Sequence, residues 1–181
     1  MTIGIVPVGP VDPQILKHLR NSIRGVFRQP VRVDGPLDKP DYAYDARRGQ
    51  FLALAILDRI NESTLPDEER VLGVADVDLF VPELNFVFGL ADPGRGVSVI
   101  SLTRLRPEFY GHKPDHSLFL DRAVKEAVHE LGHTYGLQHC PDPECIMHFS
   151  NSILDTDRKR IAFCPQCEVG GRPRKAHWGR P

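Results

Sequence analysis

Apolar residues along this chain recur at two spacings. Residues 3–8 form a short, nearly unbroken apolar run, the pattern of a strand, and Gly9-Pro10 turns the chain after it. Asp12 is placed to cap, and Pro13 to open, a helix running through about Phe27. Ile15, Leu16, Leu19, Ile23 and Val26 fall on its inner face. Val31–Val33 reads as a short second strand, residues 50–60 as a strongly apolar, buried helix, and residues 71–77 as a third strand. Residues 85–91 and 97–102 are two more strands, joined by the hairpin connection Asp92-Pro93-Gly94-Arg95-Gly96. This order implies right-handed crossovers and an α/β (α+β) fold. Its mixed, mostly parallel twisted sheet would carry one antiparallel edge strand from the hairpin. Residues 97–102 are apolar on both faces, as in a central strand, whereas residues 85–91, broken by Gly89, suit the edge. A long helix over residues 117–136 follows, with Leu120, Val124, Ala127, Val128 and Leu131 facing the core. Beyond Gly136 the chain is loop-rich and too poor in apolar residues to fold alone.

The end of that long helix carries the chemistry. His129, Glu130, His133, Gly136 and His139 fall at the spacing HExxHxxGxxH. His129 and His133 are one helical turn apart, so both imidazoles can reach one metal ion. Glu130 projects beside that metal, where a carboxylate can take a proton from water. Gly136 tolerates the positive φ that ends the helix sharply and lets the chain deliver His139 as a third ligand. Three imidazoles leave a fourth zinc position open, as a catalytic site requires. The competing reading is a pair of solvated histidines on a helix surface, and the added Gly136 and His139 argue against it.

All four cysteines lie at or beyond this motif, as Cys140, Cys145, Cys164 and Cys167. Two close pairs, C-x4-C and C-x2-C, present thiolates from two tight turns and can build a closed tetrahedral four-sulfur zinc site. Disulfides are the alternative; the zinc-like spacing and the neighbouring metal motif weigh against them. A structural zinc here would replace the core that the cap lacks.

The combined pattern HExxHxxGxxHC-x4-C-x-M, closed by Phe163-Cys164-Pro165-Gln166-Cys167, resembles the archaemetzincins, a branch of the metzincin metalloproteases. The diagnostic match covers residues 126–167. The resemblance implies a compact metzincin-like fold, with residues 1–181 as one catalytic domain. Residues 1–136 would form its N-terminal part and residues 137–181 a small zinc-stabilised cap. It also implies a peptide or protein substrate, and it places Met147, eight residues after His139, in a turn beneath the catalytic metal. A thioether suits that place as packing, not as a ligand.

Composition changes the picture little. With 181 residues the chain can bury one sizeable core, and a formal net charge of −1 gives no overall attraction to nucleic acid or membrane. The first residues lack the basic and apolar regions of a signal peptide, and no stretch is long enough to span a bilayer, so a cytoplasmic, monomeric protein is expected. The residues together predict zinc-assisted hydrolysis with two zinc ions per chain, one held by His129, His133 and His139 and one by the four cysteines. Glu130 would serve as general base, and an extended substrate could pair with the edge at residues 85–91. Two alternatives stand beside this. One is a catalytically silent zinc-binding protein. The other is nucleic-acid binding through the cap, using Arg158, Lys159, Arg160 and the basic tail Arg172, Arg174, Lys175, His177, Trp178 and Arg180.

Overall fold

The computed structural model describes residues 2–64, 68–169 and 172–173. The chain opens with β1 (Thr2–Val8) and α1 (Pro13–Phe27), then β2 (Val31–Val33). The Asp12 carboxylate accepts from the Gln14 backbone N–H at 2.8 Å, satisfying one of the free donors of the first turn of α1. Ile15, Leu16, Leu19, Ile23 and Phe27 make its buried face, while Val26, expected on that face, is only partly buried. Each such side chain contributes about 1.5–3 kcal/mol on full burial, so this stripe, more than helix propensity, fixes α1.

The second helix departs from expectation. Residues 50–52 are not its first turn but a strand, β4 (Gln50–Leu52), which pairs antiparallel with β3 (Tyr44–Asp45). The helix, α2, runs from Ala53 to Ser63. The Phe51 N–H donates to the Asp78 carbonyl at 2.8 Å, and the Gln50 amide donates to Asp78 Oδ2 and to the Asn85 carbonyl. Those bonds come from segments distant in sequence, so apolar periodicity could not place the boundary. β5 (Glu68–Ala75) follows, then β6 (Leu79–Phe80), which pairs parallel with β4.

The expected edge strand is shorter and displaced: β7 is Gly89–Asp92, and Gly89 is its first residue instead of an interruption. The Val87 N–H already bonds to the Leu79 carbonyl, so the chain up to Val87 belongs to another pairing, while the Phe88 carbonyl accepts from Ser101. β7 turns through residues 93–96 into β8 (Val97–Ser101) and pairs with it antiparallel. The main sheet has the order β2-β1-β5-β8-β7, with every pairing parallel except the last. This is the mixed sheet that the pattern predicted, and β8 is buried throughout.

Alternation along the strands builds two cores. Ile3, Ile5, Leu72, Val74 and Ile100 face α1 and the long helix α3 (His116–Thr134). Val6, Val8, Val71, Ala75, Val97 and Val99 face α2. The first core continues into the cap, where Ile146, Met147, Ile153 and Phe163 join the same cluster. The cap also holds α4 (Ile153–Arg158), opened by a reciprocal capping box of Ser152 and Asp155. It ends in the short pair β9 (Glu168–Val169) and β10 (Arg172–Pro173). No helix among the described residues is long and apolar enough to cross a membrane. The tail from Arg174 to Arg180, once a candidate basic patch, lies outside the described residues.

Candidate metal centres and cleft

Helix α3 is fixed at its start by Asp115, whose carboxylate accepts from the Leu118 N–H at 2.9 Å. It ends at Thr134, two residues before Gly136, which has φ +86°. The sharp turn there returns the chain across the helix end and brings His139 to His129 and His133. Their ligand atoms lie within 4.8 Å of one another. The Nδ1 of His129 is 2.8 Å from the Ile146 carbonyl, and that of His133 is 2.7 Å from the Leu137 carbonyl. A carbonyl only accepts, so each of these rings carries its proton on Nδ1. The two Nε2 lone pairs then face one another at 3.1 Å. Such a pair repels unless a cation sits between them, and this is the donor arrangement of a metal site.

Burial, then the charge of Lys159, holds the His129 imidazole well below its ordinary pKa. Burial lowers His133 and His139 as well, so the three rings are in the neutral form that metal ligation needs. Glu130 is buried beside them. Burial and then the Glu126 carboxylate push its pKa well above the usual carboxylate range, with Lys159 opposing.

Glycine makes room for that carboxylate. A Cβ built on Gly89 would stand 2.6 Å from Cγ and 2.7 Å from Oε1 of Glu130. We expect Gly89→Ala to fold and to displace Glu130, lowering peptide cleavage on the order of 100-fold, the usual consequence of about 1 Å of misplacement. Circular dichroism melting beside a steady-state cleavage assay checks this, and wild-type rates in the variant would show that Glu130 has slack. Met147 is fully buried, and its thioether packs against α3 at Gly132, where any Cβ would collide with Sδ.

The four cysteines form a second group within 4.8 Å and are free thiols. Cys140 and Cys164 place their sulfurs 3.7 Å apart. That is far beyond the ~2.05 Å of a disulfide. It matches the separation of about 3.8 Å between sulfurs set tetrahedrally at ~2.3 Å around zinc. Burial raises the Cys145 thiol, and burial with the neighbouring Cys145 charge raises Cys167 strongly, so four thiolates would gather here only around a cation.

The two centres are bound together by backbone. The Cys140 N–H donates to the Met147 carbonyl at 2.9 Å. Ile146, whose carbonyl orients His129, stands between Cys145 and Met147 in the chain.

Between α3 and β7 runs a cleft of about 480 Å³. His129, Glu130, His133 and His139 line it together with Gly89, Leu90 and Ala91, and Phe149, Ser150 and Asn151 close the far side. Among the described residues β7 pairs only with β8 in the main sheet, which leaves its other edge open there. His112 and His116 are exposed and lie outside the cleft, and His148 donates from Nδ1 to the Cys140 carbonyl at 2.9 Å. Tyr135 packs on Phe27, with ring centroids 5.5 Å apart.

Sequence reasoning missed one pair. Glu126, one turn before Glu130, also lines the cleft and is ion-paired with Lys159 in the interior. The spacing of two carboxylates four residues apart on one helix face was the available signal. Lys159, a candidate for a nucleic-acid surface on the cap, has a fully buried side chain, which removes it from any such surface.

A helix offering imidazoles to a metal beside a carboxylate, in a cleft walled by an open strand edge, places this protein among the zinc metallopeptidases. The model of Peptidase family M54 matches residues 28–170. An archaemetzincin from Pyrococcus abyssi is 49% identical over 173 residues, 91% of each chain. Among solved structures, a zinc-dependent peptidase from Methanocorpusculum labreanum superposes with a TM-score of 0.83 at 32% identity, covering 91% of this chain and 97% of that one. The archaemetzincin of Methanopyrus kandleri gives 0.79 at 39% identity, covering 92% of this chain and 91% of its own. The chain belongs to peptidase family M54, the archaemetzincins.

Proposed function

We propose that the cleft hydrolyses peptide bonds by direct attack of water, with no covalent intermediate. His129, His133 and His139 would hold the catalytic zinc, and Glu130 would be the general base. Cys140, Cys145, Cys164 and Cys167 would hold a second zinc whose role is structural, with residues 1–181 acting as one catalytic unit. The observation that carries this reading is the group of three neutral imidazoles converging beside a buried carboxylate in a cleft open to solvent.

When bound, zinc supplies Lewis-acid polarisation of the scissile carbonyl and of the attacking water. Glu130 takes the proton from that water and passes it to the leaving amine. Its raised pKa makes it a stronger base than an exposed carboxylate, which suits a group that must both accept and return a proton. The open edge of β7 takes the substrate as an added extended strand, with the N–H and C=O groups of Gly89–Asp92 fixing its register. Gly136 sets the turn and Met147 supports the imidazoles from below by packing, without binding metal.

The test is cleavage of a peptide library by zinc-loaded protein. We expect cleavage that a chelator abolishes and added zinc restores. Protein that holds metal at both centres and cleaves nothing would replace this reading with that of a zinc-binding protein.

A further inference from the structure

Glu126 sits one helical turn before Glu130 and lines the same cleft. Its Oε1 accepts from Thr156 Oγ1 at 2.9 Å and from Lys159 Nζ at 3.2 Å. The Thr156 hydroxyl, having given its proton to Glu126, can only accept from Ser150 Oγ, 3.1 Å away, and Ser150 is itself part of the cleft wall. Lys159 is wholly buried and the Glu126 side chain is 3% exposed. Oε2 of Glu126 receives no side-chain or backbone donor among the described residues.

An apolar pair of the same volume would hold α3 to the cap at least as well, because desolvating two charges costs about as much as their attraction returns. What the ion pair adds is an acceptor carboxylate in the cleft wall, one helical turn from Glu130. On the peptidase reading Glu130 would pass its proton to the new amine, so the residue following the scissile bond would lie on the Glu130 side. Glu126, on the same helix face, is then placed to meet its side chain.

We propose that Glu126 is a specificity-determining residue, whose carboxylate selects substrates with a hydrogen-bond donor on the side chain directly after the scissile bond. Lys159 balances its charge, so a neutral amide such as that of glutamine fits best. An ammonium costs more to desolvate beside Lys159, and a carboxylate meets a like charge. This rests on the peptidase reading for the direction of the substrate, yet its test reads binding alone.

The probes are peptide hydroxamates whose first side chain after the zinc-binding group is glutamine, leucine, lysine or glutamate, titrated calorimetrically into zinc-loaded protein. We expect the glutamine probe to bind ~tenfold tighter than leucine, and glutamate ~tenfold weaker than leucine, each reflecting one buried hydrogen bond gained or one acceptor pair opposed. In Glu126→Leu/Lys159→Met the leucine probe becomes the tightest. In Glu126→Gln, which keeps the shape and can donate, the penalty on the glutamate probe shrinks toward the leucine value. A flat wild-type series, or an order unchanged in these variants, overturns the proposal even in an active peptidase. The expected order in a protein that cleaves nothing upholds this pocket and overturns the peptidase reading instead.

Discussion

In Glu130→Gln, peptide cleavage falls by roughly 10²–10⁴-fold while both metal centres stay filled. The amide fills the same space against Gly89 but has no basic oxygen to take a proton. Stability moves the other way. A carboxyl whose native pKa is raised contributes stability only at low pH, and that contribution is lost as pH rises through the native value. At neutral pH, above the ordinary carboxylate value that Glu130 regains on unfolding, its burial therefore opposes folding. The metal-free variant should melt at or above the temperature of the metal-free wild type. Loss of rate without loss of stability separates a chemical role from a structural one. Cleavage within threefold of wild type would remove Glu130 from the mechanism.

The second large effect is expected from Cys140→Ser. Removing one thiolate of four empties or weakens the sulfur centre, and a structural zinc of this kind is worth on the order of 10 kcal/mol to a small domain. Loss of even a third of that lowers the melting temperature by about 10 °C in a chain of this size. The histidine centre should weaken too, by about 10–100-fold in zinc affinity, as when a supporting contact to a ligand is lost. The route is short. Cys140 follows His139 directly, its N–H holds the Met147 carbonyl, and the adjoining Ile146 carbonyl orients His129. Competition with a chromophoric chelator resolves the two affinities. An unchanged histidine-centre affinity and melting temperature would show the centres to be independent.

Much of this was readable from residue order. β1, α1, β2 and β8 follow from local periodicity, because each buries a face that its own sequence marks. The parallel order with one antiparallel edge followed from connection rules. The gathering of three imidazoles and four thiols into two close groups was legible because their spacing is a local geometric constraint. What failed was non-local. The strand at Gln50–Leu52 pairs with Tyr44–Asp45 but is anchored on its other side by Asp78 and Asn85, and β7 begins at Gly89 because Val87 is engaged by Leu79. Lys159 stands in a basic run that suggested an exposed nucleic-acid surface, but α4 carries it under α3, to a glutamate 33 residues earlier in the chain. The capping box at Ser152 and Asp155 had a local signal, but one helix turn inside a loop-rich cap was passed over.

The cap's place in the core has a consequence for the order of events during synthesis. A chain emerging from the ribosome N-terminus first presents His129, Glu130, His133 and His139 before Lys159, Phe163, Cys164 and Cys167 exist outside the exit tunnel. The Ile146 N–H donates to the Ala162 carbonyl and Met147 shares its core with Phe163, so this support of the imidazoles is incomplete until those last residues arrive. A nascent chain thus carries the three imidazoles and Glu130 unassembled until residues 159–167 have emerged, so the cleft is completed late in synthesis.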